Sequence, residues 1–305
     1  MSFNLTMLNL WIGMCRGATG VPKALREMGY QDKWIELKFL NEKLEHVCPD
    51  LIIASNEMKH TMLLEFKSGA NAEPDQLSRY SNVTRDDLEQ KAFIETRAAE
   101  DHDVAVVGRA EHKERLQKGL SEGDYSFPLL VANDDGLALS LNQFRPRELS
   151  ALFTPTLGID WEQVPTGFVP LDGDSELWEV AEFVVPKVLQ YLSERRPVVR
   201  PKEVCQDVCC VAWGSMGQPA REVMEKKVLA VLREATRRHF KPYLRWQRHT
   251  GFFHVVDNPL DLAPDKRTVA YRKLQNYQRR FIERLKKGPA AGGEQLEIAF
   301  PDGGR

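Results

Sequence analysis

Three ionisable side chains sit where such groups are rare. Asp50 follows Pro49 at the head of the apolar run Leu51–Ala54, and Glu65 and Lys67 flank Phe66 just after the apolar run Met62–Leu64. Charges placed in such segments are ordinarily paired or functional. Two carboxylates brought face to face repel unless a cation joins them. Oxygen ligands suit Mg²⁺ or Mn²⁺, which keep waters and bind substrate phosphate. A lysine beside them could orient a metal-bound water or stabilise charge on phosphoryl oxygens. The competing reading is a surface hairpin with an ordinary Glu-x-Lys pair.

Two short strands must position these groups. Residues 51–54 and 61–67 read as strands, joined by the polar turn 55–60. In an antiparallel hairpin, paired positions add to a constant. A turn centred between Glu57 and Met58 sets Asp50 opposite Glu65, with Cβ atoms about 5 Å apart. Alternation puts Glu65 and Lys67 on one face and Phe66 on the other. Pro49 suits a strand start, where no ladder donor is needed. A one-residue slip in register would undo the arrangement.

With Pro49-Asp50 and Glu65-Phe66-Lys67 in place, the chain resembles the PD-(D/E)XK nuclease superfamily. Gln76-Leu77-Ser78-Arg79-Tyr80 resembles the Gln-x-x-x-Tyr helix of its RecB-like members. The resemblance covers roughly residues 20–150. It implies a mixed sheet flanked by helices and metal-dependent phosphodiester hydrolysis. By that resemblance Asp50, Glu65 and the Phe66 carbonyl are metal ligands, and Lys67 acts on the water. Gln76 and Tyr80 become auxiliary contacts; the alternative is the polar face of a surface helix. Many relatives carry a further acid on the first helix, but residues 1–26 hold no Asp or Glu. Glu27, on a short helix ending at Gly29, is the first candidate, with Glu36 and Glu45 as rivals. His46, four residues before Asp50, matches an upstream ligand of RecB-like members or is a solvated histidine.

Charge adds an independent pointer. Residues 195–288 hold 22 Lys and Arg against nine Asp and Glu, a balance of +13, which leaves −15 on the remainder of a chain of net charge −2. So basic a segment points to a polyanion, with salt-sensitive binding. Solvated helix faces are the plainer alternative.

A length of 305 residues suggests two domains. No apolar run reaches transmembrane length. The apolar stretch Leu8–Cys15 lacks the leading charge of a signal peptide. Five cysteines, an odd number, fit a reducing cytoplasm better than a disulfide framework. Cys205, Cys209 and Cys210 have the wrong spacing for a zinc knuckle and suit a buried helix face.

Helical and strand-like segments alternate over 1–153, as in an α/β layer structure. Residues 154–175, rich in proline and glycine, read as a linker. Over 176–288 the order is helix, helix, basic helix and hairpin, which resembles a winged-helix module. On that resemblance Arg233, Arg237 and Arg238 lie at or beside the groove, and Arg245 and Arg248 on the wing. Residues 267–287 read as a last basic helix, and 289–305 as a flexible tail in which Leu296–Phe300 could dock on a partner.

The expectation is therefore an α/β nuclease domain plus a mainly α, winged-helix-like DNA-binding domain. The activity expected is Mg²⁺- or Mn²⁺-dependent DNA endonuclease. Members with this layout occur in restriction, mobile-element and antiphage systems. DNA is the expected partner, with a partner protein or a second copy compatible and no membrane association expected. The alternative is a non-catalytic DNA-binding regulator or interaction subunit on a decayed nuclease fold.

Overall fold

The computed structural model describes residues 2–71, 73–237, 240–256, 258, 261 and 264–287. It forms two compact units, Met1–Ser175 with Cys205–Lys226, and Glu176–Val204 with Lys227–Arg305.

The first unit is α/β. Helix α1 (Phe3–Arg16) starts where the Ser2 hydroxyl accepts the Leu5 N–H at 3.1 Å and stops at Gly17, whose φ of 66° suits a residue without Cβ. It is buried nearly all round, which accounts for its apolar sequence: it packs on the sheet as a core helix. A one-turn helix α2 (Ala24–Glu27) leads into β1 (Gln31–Ile35), the small hairpin β2 (Phe39–Leu40) and β3 (His46–Val47), then β4 (Leu51–Ser55) and β5 (His60–Lys67). Helices α3 (Pro74–Ser81) and α4 (Arg85–Gln90) cross to β6 (Asp101–Arg109). Helix α5 (Lys113–Glu122), β7 (Leu129–Asn133), β8 (Gly136–Leu141), α6 (Arg147–Leu152) and β9 (Leu157–Gly158) complete the sheet.

The sheet is mixed, in the order β1-β4-β5-β6-β7-β8-β9. Strands β5, β6 and β7 run parallel to one another, and every other pairing is antiparallel. Strand β4 meets β5 with Leu51 opposite Leu64 and Ser55 opposite His60, which is the expected hairpin register. One face of β4 and β5, carrying Ile52, Ala54 and Leu63, joins the core formed with Leu77, Tyr80, Leu88 and Leu116. Glu65 and Lys67 continue that face beyond Leu63.

His60 was expected in a polar turn. It is instead the fully buried first residue of β5, between the Tyr30 hydroxyl (2.9 Å from Nδ1) and Asp103 Oδ2 (3.1 Å from Nε2). A histidine with both ring nitrogens partnered can enter a core that a lone one cannot.

Residues 154–175 are no open linker. They supply β9 and bury Ile159, Val164, Val169 and Leu171. The buried Asn9 amide donates to the Val169 carbonyl at 2.8 Å and accepts its N–H at 3.0 Å. Proline and glycine density marked this stretch as irregular, but its scattered apolar residues are long-range core contacts. The domain boundary is also more complex than a single cut. The turn after α8 (Pro201–Trp213) runs along the edge strand: Ile35 N–H donates to Ser215 O at 2.8 Å, and Gly217 N–H to Ile35 O at 2.6 Å. Residues 205–226 therefore belong with the first unit.

In the second unit, α7 (Leu177–Ser193) runs through Pro186 without ending, and α10 (Pro264–Lys286) packs against it. Strands β10 (Val198–Val199), β11 (Leu244–Gln247) and β12 (Phe252–Val255) form a sheet in the order β10-β12-β11. Helix α9 (Gln218–Arg237) spans the boundary between the units. No described helix is long and apolar enough to cross a membrane. The expected tail 289–305 lies outside the described residues.

Candidate catalytic site

Asp50 ends the loop from β3, and its Oδ2 accepts the Phe66 N–H at 2.6 Å. The carboxylate thus takes a backbone donor where the β4–β5 ladder stops, which ties it beside Glu65. Strand β5 presents Glu65 and Lys67 on one face, and Phe66 turns its buried side chain to the other.

Helix α3 closes the site from above. Gln76 and Tyr80 are four residues apart and share a helix face. Gln76 Nε2 donates to Glu65 Oε1 at 2.9 Å, and its Oε1 accepts from Lys67 Nζ at 2.6 Å. Lys67 Nζ is also 3.1 Å from Glu65 Oε1. The Tyr80 hydroxyl lies 2.8 Å from both Glu65 Oε2 and the Cys48 carbonyl, and receives Gln76 Nε2 at 3.1 Å. A phenol has one hydrogen, so these two acceptors share it. The structure therefore brings Asp50, Glu65, Lys67, Gln76 and Tyr80 together.

The electrostatics of the group are those of an acid cluster with too few cations. Burial pushes the Asp50 carboxyl well above the usual range, and the Glu65 charge and then Glu36 add to it. Glu36 is raised too, by burial first and then by Asp172 and Glu65. Burial raises the Cys48 thiol to about 12, with the same three acids contributing, so it stays protonated and is no nucleophile. Burial and the Glu65 charge keep Tyr80 a neutral phenol. Lys67 is the cation in contact with Glu65.

Glu27, the leading candidate for a further acid, is exposed at the end of α2 and takes no part in the contacts of Asp50, Glu65 or Lys67. Its helix is only one turn long and presents it to solvent. Its rival Glu36 is the acid whose charge reaches the site, from a left-handed position (φ 49°) just after β1. Asp172 went unnoticed because it lies in the stretch read as linker; no local pattern marks it. Glu45 is bound by Asn41 and Asn82, and His46 is exposed on β3.

Among the described residues, no three His, Cys, Asp or Glu side chains form a ready metal cage. A cation here would rest on Asp50 and Glu65, with the Phe66 carbonyl, water and substrate oxygens completing its shell. This donor set fits a hard divalent ion, which keeps several waters. The mutual repulsion of the carboxylates is the feature that such an ion relieves. Cys205 and Cys209 are buried on α8, Cys209 raised to about 12 by burial, and Cys210 is exposed. Cys205 and Cys209 pack as expected of a buried helix face, and Cys210 departs from that expectation, exposed at a non-helical position (φ 34°).

Of the basic residues expected to meet DNA, Arg233 is exposed with its guanidinium 4.9 Å from the Trp246 ring centre. Arg237 is exposed and 3.4 Å from Glu234. Arg245 is exposed on β11, and Arg248 in the turn after it. Arg238 lies outside the described residues.

Residues 4–169 match the MJECL32 domain family, more than half of the chain, and the chain belongs to that family. The match runs from α1 past β9 and so takes in both the candidate site and most of the supposed linker. No curated protein and no solved structure matches the chain.

Proposed function

We propose that this MJECL32-domain protein is a metal-dependent DNA endonuclease whose active site is built on Asp50, Glu65 and Lys67. One observation carries the reading: a buried Asp50 held by the Phe66 N–H where the β4–β5 ladder stops, its carboxyl raised by burial and then by the charge of Glu65, with Lys67 two residues on from Glu65 along the same strand face. The chain order and pairing of the surrounding elements (α1, three antiparallel strands, a helical crossover and a parallel strand) are compatible with the PD-(D/E)XK resemblance.

In this reading Asp50 and Glu65 hold Mg²⁺ or Mn²⁺ together with the Phe66 carbonyl. The bound ion would supply a Lewis acid for the phosphate and a more acidic water. Lys67 places a positive charge and hydrogen-bond donors where the phosphoryl group and the attacking water meet. Gln76 holds Lys67 and Glu65 in register from α3. Tyr80, kept neutral, donates to Glu65 and fixes its rotamer without adding charge. Glu36 adds negative potential that favours a cation at the site.

In this reading DNA binding comes from elements after residue 176, most of α8 and the start of α9 belonging to the first unit and the rest to the second. The order α7, β10, α8, α9, β11, β12, with a sheet ordered β10-β12-β11, resembles a winged helix. Arg233 and Arg237 then lie on the recognition helix, and Arg245 and Arg248 on the wing. A second reading, a DNA-binding regulator on a decayed nuclease fold, is favoured by one feature: Tyr80, Gln76 and Lys67 already occupy both oxygens of Glu65.

Incubation with plasmid, linear duplex and single-stranded DNA in Mg²⁺, Mn²⁺ or EDTA separates the two. The nuclease reading expects metal-dependent cutting that Glu65→Ala and Lys67→Ala abolish while DNA binding persists. Binding without cutting in any metal, equal for wild type and both variants, favours the regulator.

A further inference from the structure

Helix α10 covers less of the protein than its length suggests. Over its 23 residues it holds eight Lys and Arg against two Asp and Glu. From Lys266 to Arg280 it is exposed at most positions, and Leu274 is the one described residue of that stretch that is buried. Phe281 supplies a second anchor, edge-on to Phe240 at 6.5 Å. At 100° per residue, Leu274 and Phe281 lie on one side of the helix. Arg272, Lys273, Arg279, Arg280 and Lys287 lie on the other.

Among the described residues, four of the eight cations of α10 have no acid in contact with them. Lys286 is committed to Glu182 at 2.8 Å and to the Trp178 ring, and Lys273 lies 5.8 Å from the Tyr277 ring. Arg272, Arg279, Arg280 and Arg284 have no acidic partner among the described residues. A helix that keeps charges of one sign on its outer face pays in self-repulsion along its axis. That arrangement suits a polyanion.

We propose that the outer face of α10 is a nucleic-acid contact, a row of cations that neutralises backbone phosphates in addition to the winged-helix-like elements. From residue 272 to 287 the row spans about 22 Å at 1.5 Å per residue. Duplex DNA carries one phosphate charge per about 1.7 Å of axis, so a row of this length meets several. The row suits phosphates and carries no base-reading pattern, so it adds affinity without sequence preference. An anionic membrane is a poorer match, because a surface-lying helix needs a continuous free apolar face: Leu274 and Phe281 are turned inward, and the exposed Val269 and Tyr271 lie about 160° apart around the helix at 100° per residue. The identity of the polyanion rests on the nuclease reading; the phosphate-binding face does not.

The test is fluorescence anisotropy of a labelled 30-base-pair duplex in EDTA at several salt concentrations, so that no cutting intervenes. The variant is Arg272→Gln/Arg279→Gln/Arg280→Gln/Lys287→Gln, with circular dichroism confirming that the helix is kept. The control is Lys113→Gln/Arg115→Gln on exposed α5. We expect the quadruple variant to bind at least tenfold more weakly at about 100 mM salt. Its log K against log salt slope should fall by up to about 3.6, near 0.9 for each of four phosphate contacts removed. The control should keep the wild-type slope. An unchanged slope in the quadruple variant overturns the proposal, as does a wild type that binds anionic phosphatidylserine vesicles but not DNA. If the wild type shows the steep slope yet never cuts plasmid, the nuclease reading fails and the α10 contact stands.

Discussion

At the scale of single residues, the decisive fact is that Asp50 is unhappy as a charge. Its folded-state carboxyl is raised above the ordinary value by burial and by Glu65. The folded chain therefore holds a proton that the unfolded chain has released. Stability then falls as pH climbs from about 4 through the raised value. Asp50→Asn removes the repulsion and leaves an oxygen to accept the Phe66 N–H. We expect it to raise the melting temperature by about 2–4 °C at pH 8, with the gain shrinking toward pH 4, while DNA cleavage is lost. Melting curves at the two pH values decide this, and a drop at pH 8 would refute it. Mg²⁺ should stabilise the wild type through the same relief and leave Asp50→Asn nearly unmoved.

The closeness of Asp50, Glu65 and Lys67 was legible because it depends on adjacent strands. Register follows from the turn and the alternation of apolar residues, and the observed pairs, Leu51 with Leu64 through Ser55 with His60, keep the expected constant up to the residue after Asp50. Glu36 was one of three candidates with nothing local to separate them, since its closeness to Glu65 depends on how β1 lies beside β4. Asp172 was illegible for the same reason at longer range. His60 misled because a histidine in a polar run reads as solvent-facing, and the partners that admit it to the core, Tyr30 and Asp103, are far away in sequence.

At the scale of elements, α3 acts as a clamp over β5. Gln76 is its pivot, bound to Lys67, Glu65 and Tyr80 at once. Gln76→Ala should leave the fold intact and lower cleavage by roughly 10–100-fold, as loss of a ligand-orienting contact does. Single-turnover rates beside a melting curve separate this from unfolding; full activity would show that the clamp is idle. The turn after α8 is a second device. A Cβ on Gly217 would fall 2.1 Å from the Glu36 carbonyl oxygen, so Gly217→Ala must push β1 or the turn aside. We expect a loss of about 2 kcal/mol or more in a denaturant melt. An unchanged midpoint would show that this edge is loosely held.

The alternation of helix and strand over 101–141 was readable from buried runs and the Asn-Asp-Asp-Gly turn at 133–136, though not the exact ends of each element. The two-residue strands β2, β3, β9 and β10 were not, because two residues carry no periodicity.

At the scale of the whole molecule, the chain is charge-segregated, and the segments of its two units alternate along the sequence. The first unit needs residues 205–226 to cover β1, whose Ile35 exchanges hydrogen bonds with Ser215 and Gly217. A fragment ending at 175 leaves that edge bare, and exposed edges promote association. We expect residues 1–175 to be less stable and more aggregation-prone than residues 1–226 in size-exclusion and melting experiments. Equal behaviour of the two would place the boundary at 175 after all. On the proposed reading, the basic segment 195–288, with its balance of +13, is expected to set the salt dependence of DNA binding, and the acids of the first unit the metal dependence of cutting.

The account stands most directly on one titration: Mn²⁺ added to the protein, with free ion followed by electron paramagnetic resonance. It predicts binding by the wild type and by Glu27→Gln, and loss of that binding in Asp50→Asn and Glu65→Gln. Undiminished Mn²⁺ uptake by the last two variants, or none by the wild type, would contradict it.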